Sequence, residues 1–114
     1  MITVSKSNQM LNNIMQLQIE NPEIIDWTPV EKTTYQLAKV LINSLDSAYE
    51  VFPTMDGVIQ LEWGDDTDTY IEVSVSGNSI TVWKEKENNF IDYKNVTVDS
   101  LDKIVNSINH LRLP

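Results

Sequence analysis

No cysteine occurs in the 114 residues, so disulfides, zinc–thiolate sites and thiol nucleophiles are excluded. Histidine is nearly absent too: His110 stands alone, and a hydroxyl nucleophile would have only that one imidazole to activate it. No G-x-S-x-G elbow accompanies it. The three glycines, Gly57, Gly64 and Gly77, all fall at expected turns, which leaves no Gly-rich phosphate loop. No stretch approaches 18 apolar residues, and Met1–Lys6 lacks the apolar core of a leader peptide. The largest absence is cationic. From Val40 to Trp83 there is no lysine or arginine, while the same stretch holds Asp46, Glu50, Asp56, Glu62, Asp65, Asp66, Asp68 and Glu72.

The formal charge of -9 is therefore regional. Residues 1–39 hold four acids against three bases, and residues 84–114 hold five of each. A one-sided field of this kind attracts partners of opposite sign and repels others. With a pI near 4.3, direct binding to nucleic acid or to an anionic membrane is disfavoured. Length and composition, 41% apolar and 22% charged, fit one ordinary domain with a core of its own over residues 1–114. A soluble protein with a cytoplasmic location is expected.

Hydrophobic spacing predicts a helix over residues 7–20, with Met10, Leu11, Ile14, Met15 and Leu17 on one stripe and Ser7 as a cap. Asn21-Pro22 closes it. A second start signal is Thr28 as cap, Pro29 at the first helical position and Glu31 completing a capping box. That helix is expected over residues 29–46, lined by Val30, Leu37, Ala38, Leu41 and Leu45.

The period then changes to two. Ile59, Leu61 and Trp63, then Ile71, Val73 and Val75, then Ile80 and Val82 alternate with polar or aromatic neighbours. Strands are expected at about 57–63, 69–76 and 79–85, with a fourth short one near 90–93. Gly77-Asn78 makes a two-residue hairpin that pairs Val75 with Ile80 and Val73 with Val82. A five-residue loop from Gly64 to Asp68 pairs Leu61 with Ile71 and Ile59 with Val73. Both registers gather the aliphatic side chains on one face. A last helix over 98–111, capped by Thr97 or Asp99, carries Leu101, Ile104, Val105, Ile108 and Leu111. The fold class expected is α+β: a two-layer domain in which an antiparallel three- to four-stranded meander packs against helices, in the order ααββ(ββ)α.

The opposite sheet face then carries Val58, Gln60 and Glu62, Tyr70, Glu72 and Ser74, and Thr81, Trp83 and Glu85. In these registers Glu62 lies beside Tyr70 and Glu72 beside Trp83. Trp63 has the inward phase and belongs to the core, and Trp27 packs over the entry of the second helix. Trp83 is either an interface residue or is covered by the first helix or the segment after residue 86. Asp65-Asp66-Thr67-Asp68 lacks the D-x-[DN]-x-[DN]-G pattern of a Ca²⁺ loop and reads as a solvated turn. Glu62 and Glu72 lack the burial that an acid/base pair needs. No metal, cofactor or catalytic residue is expected, and the protein is not expected to be an enzyme.

The run Pro53-Thr54-Met55-Asp56-Gly57-Val58-Ile59-Gln60-Leu61-Glu62-Trp63 resembles a P-x-x-D-G-x-I-x-L-E-W pattern found in small, mostly uncharacterised bacterial and phage proteins. Those proteins often carry a W-D-G-x-G-A segment before the helix, where this chain has Asp26-Trp27-Thr28-Pro29 and neither glycine. The resemblance covers residues 26–85. It implies helix-then-meander architecture and a bacterial or phage origin, and no catalytic residue.

The function expected is that of an acidic interaction protein, an accessory or inhibitory factor that docks on the basic surface of a nuclease, toxin or defence component. In that role its carboxylates would act as a nucleic-acid mimic. The candidate partner-binding residues are Glu62, Asp65, Asp66, Asp68, Tyr70, Glu72 and Trp83. The alternative is a small-molecule or ion-binding regulatory domain with a pocket between sheet and helices. A homodimer formed through Phe90–Tyr93 or the exposed aromatic face is also open.

Overall fold

The structure, a computed structural model, describes residues 4–20, 28–45, 50–64, 70–86 and 88–111. In chain order the elements are α1 (Val4–Glu20), α2 (Lys32–Ser44), β1 (Glu50–Pro53), β2 (Ile59–Trp63), β3 (Ile71–Ser76), β4 (Ser79–Lys84), β5 (Asn89–Tyr93) and α3 (Val98–Leu111). The fold is α+β. All five strands are antiparallel in the order β1-β2-β3-β4-β5, so each pairs with its sequence neighbour.

One sheet face is aliphatic and buried. Val51, Ile59, Leu61, Trp63, Ile71, Val73, Val75, Ile80 and Val82 point into a core completed by Ala38, Leu41 and Ile42 of α2 and Leu101, Ile104 and Ile108 of α3. Helix α2 lies against β2 and β3 and touches α3, while α1 packs on α2 and β1. The third helix has the expected period, and of its two cap candidates Thr97 is the one used. Its Oγ1 accepts from Ser100 N–H at 3.4 Å while its own N–H donates to Ser100 Oγ at 2.8 Å. At the other end the Lys84 ammonium donates to Leu111 O at 2.7 Å. That bond matches a cation to a carbonyl left unpaired at a helix C-terminus.

The structure revises several expectations. Helix α1 begins at Val4, so Ser7 lies inside it, fully buried on the stripe it shares with Leu11 and Ile14. A small side chain there lets α1 approach its neighbours, whereas Met15 and Leu17 from the expected stripe are exposed. Helix α2 starts at Lys32 rather than Pro29, with Glu31 at the N-cap position and no side-chain cap bond. The capping box is not formed, because Thr28 N–H is taken by Met55 O at 2.9 Å across the β1–β2 loop. A tertiary bond holds the Thr28-Pro29 segment against that loop.

The fifth strand, β1, was not expected. Its four residues are too few for a period of two to show, and Pro53 ends it on the edge, where a missing N–H is tolerated. Across β2 and β3 the register is shifted by two residues. Leu61 faces Val73, Ile59 faces Val75 and Trp63 faces Ile71, so the loop runs from Gly64 to Tyr70. A shift of two keeps the face of every side chain, and the aliphatic set remains together. The β3–β4 register is as expected, with Val75 opposite Ile80 and Val73 opposite Val82.

A polar bond ties helix α2 to that hairpin: Thr34, 2% exposed, accepts the Gly77 N–H on Oγ1 at 2.8 Å. Thr34→Val keeps the shape and removes the acceptor, which is expected to cost about 1–2 kcal/mol in urea unfolding, whereas Thr34→Ser keeps most of the stability. Equal losses in the two variants would mean that packing, not the bond, matters there.

Candidate functional site

The outward face of the meander is built by register. Reading across the strands, one row runs Glu50, Glu62, Glu72, Trp83, Phe90. The next runs Phe52, Gln60, Ser74, Thr81, Asp92. Adjacent members of a row sit on neighbouring strands about 4.8 Å apart. Among these positions are four carboxylates and no lysine or arginine. The row is acidic at its β1 end and aromatic at its β5 end.

Glu62 and Glu72 are directly opposite each other, not Glu62 beside Tyr70 as the expected register had it. Like charges so placed repel across the strand pair. Tyr70, one position before β3, lies over both. Its hydroxyl donates to Glu62 Oε1, and Glu72 Oε2 lies 3.2 Å from the same oxygen. Gln60 Nε2 also donates to Glu62 Oε1, at 3.2 Å. A phenol has one proton, so two carboxylates share a single donor. Burial, the bond to Glu62 and the negative charge of both glutamates together hold the Tyr70 phenol far above its ordinary 10.0.

That shift has a definite sign. An unfolded tyrosine ionises near pH 10 and Tyr70 in the folded chain does not, so its contribution is present below pH 10 and is lost as pH rises beyond it. Tyr35, raised by burial, acts in the same direction. Tyr70→Phe is therefore expected to lower stability at neutral pH and to flatten its decline above pH 10, followed by urea unfolding at a series of pH values. An equally steep decline in the variant would remove Tyr70 from this account.

Trp83 is half-buried. Its ring meets that of Tyr70 edge-on, with centroids 5.8 Å apart and planes at 72°. Its indole N–H donates to Asn88 Oδ1 at 3.3 Å, so the segment after residue 86 partly covers it. Asn88 adopts φ 47, a conformation that asparagine tolerates better than most residues. Beside Trp83, Phe90 is 65% exposed. Glu72, Ser74, Thr81, Trp83 and Phe90 line a shallow concavity of about 370 Å³.

Of the expected site residues, Glu62, Tyr70, Glu72 and Trp83 thus come together on one face. Asp65, Asp66 and Asp68 lie outside the described residues, as does Trp27. Two members of the row escaped sequence reasoning: Glu50, on the strand too short to show a period, and Phe90, whose alternation with Ile91 in β5 was the available signal. A second hollow, of about 480 Å³, lies between α1 and α2 and not between sheet and helices; Leu11, Met15, Tyr35, Lys32 and Lys39 are among its walls. Among the described residues no group of three or more His, Asp or Glu could hold a metal, and no helix is long and apolar enough to cross a membrane. Compared with known proteins, the chain matches no family model, no curated sequence and no solved structure.

Proposed function

We propose that the chain is a non-enzymatic acidic interaction protein whose outward sheet face docks on a basic surface of a protein partner. The observation that carries this reading is the row Glu50, Glu62, Glu72, Trp83, Phe90, in which carboxylates run into exposed aromatic surface with no lysine or arginine in the row. Carboxylates steer a basic partner at long range, and aromatic side chains supply contact energy at close range. The half-buried, hydrogen-bonded state of Glu62 and Glu72 favours this further, since their positions are set before a partner arrives.

Within that reading, the partner is a nuclease, toxin or defence component whose basic groove otherwise holds nucleic acid, and the chain acts as an accessory or inhibitory factor in a bacterial cytoplasm. Carboxylates held on adjacent strands of a rigid sheet can stand in for phosphates. The resemblance of Pro53–Trp63 to small bacterial and phage proteins supports that setting. Affinity capture from the native host, read by mass spectrometry, tests the proposal. The expected capture is a basic protein released by moderate salt and lost in the Glu62→Gln/Glu72→Gln variant. Recovery of nothing above background, or of a protein indifferent to salt and to those substitutions, sinks it.

A further inference from the structure

We propose that the concavity spanning β3, β4 and β5 is a seat for an arginine side chain of the partner protein. The proposal rests on the docking role of this face and adds the chemistry of its central contact. One wall is Glu72, a carboxylate. Two others are the side chains of Trp83 and Phe90, which are cross-strand partners in the β4–β5 ladder. The remaining walls, Ser74 and Thr81, present hydroxyls. Thr81 Oγ1 donates its proton to Asp92 Oδ1 at 3.1 Å, which leaves its oxygen as an acceptor.

That set discriminates between ligands. An anion would face Glu72 with no cation in the lining to compensate. A neutral apolar group would bury against a carboxylate. A cation gains both from the carboxylate and from the negative faces of the two rings. Between the two cationic side chains, guanidinium is planar, weakly hydrated and rich in donors, and it stacks on aromatic rings. Ammonium is a compact, strongly hydrated point charge. The seat is also preset: the Tyr70 ring abuts Trp83 and Asn88 holds its indole N–H, so the ring is restrained before a ligand enters.

The test uses the full chain and two labelled peptides of equal charge, one carrying spaced arginines and the other lysines at the same positions, with binding followed by fluorescence anisotropy at low ionic strength. The arginine peptide is expected to bind about two- to fivefold tighter, the range of a surface cation–π contact. Phe90→Leu, which alters an exposed ring, should erase that preference by weakening the arginine peptide more than the lysine peptide. Trp83→Leu, checked for folding by circular dichroism, should do the same. Equal affinity of the two peptides in the parent chain, with both weakened by Glu62→Gln/Glu72→Gln, would overturn the arginine seat and leave the acidic docking face standing. A preference that survives both aromatic substitutions would overturn the seat as well. No binding of either peptide at low salt would overturn seat and docking face together.

Discussion

Gly57→Ala should lower stability by about 2–5 kcal/mol, whereas Gly77→Ala should cost about 1–2 kcal/mol. Both glycines have left-handed backbones, with φ of 78 and 56. Each alanine therefore carries the penalty of a Cβ in that region, about 1–2 kcal/mol. The two sites differ in what the new methyl group would meet. At Gly77 nothing lies within 4 Å of it. At Gly57 it would sit 3.0 Å from Pro29 O, 3.2 Å from Thr28 Cγ2 and 3.3 Å from Thr28 O. Two of those three atoms are backbone, and the segment has little room to retreat, because Thr28 N–H is bonded to Met55 O. Overpacking of this kind adds about 1–3 kcal/mol. Urea unfolding of the two variants beside the parent reads the difference directly. Equal losses would show that the Thr28-Pro29 segment yields freely and does not clamp the β1–β2 loop.

The second large effect is one of opposite signs. Glu62→Gln/Glu72→Gln should stabilise the free protein by about 0.2–1 kcal/mol while weakening partner binding by tenfold or more. Stability rises because the two carboxylates are cross-strand neighbours and share a single phenolic proton. Glutamine keeps an acceptor for Tyr70 and adds donors of its own. Binding falls because the charge that opposes a basic partner is gone, and the loss should shrink as salt is raised. Thermal unfolding of the free variant, with titration of the captured partner at two ionic strengths, measures both arms. A variant that loses stability and keeps its partner would mean that the pair is structural. A purely solubilising pair would give the stability change with no effect on binding.

Much of this architecture is legible in the chain, for reasons that differ from element to element. The α3 stripe and the β3–β4 hairpin are local patterns, and a two-residue turn admits one register, so Val75 opposite Ile80 follows from sequence. The longer loop from Gly64 to Tyr70 does not fix its own length, and the β2–β3 pairing moved by two residues there. That movement preserved the inward set but changed the chemistry of the outward one, because it brought Glu62 opposite Glu72 and set Tyr70 above both. The α2 start was misread because a local capping signal at Thr28-Pro29 competes with a bond to Met55, and such a bond is invisible in a linear pattern. Glu50 joined the acidic row through a strand whose pairing, not its composition, defines it. Sequence thus identified the face and most of its residues, but the contacts among them depended on register.

The sheet keeps its two jobs on opposite sides of one backbone. Val73 points inward and Glu72 outward from adjacent positions, and the same division holds along β2 and β4. Exposed substitutions away from special contacts change stability by about 0.5 kcal/mol or less, whereas buried ones are felt at a single methylene. The two faces can therefore diverge at different rates. A lineage could retune Glu50 or Phe90, both exposed, to follow a changing partner while its aliphatic layer stayed fixed. Relatives of this chain would then be recognised by a shared inward alternation beneath an outward face that differs from one to the next.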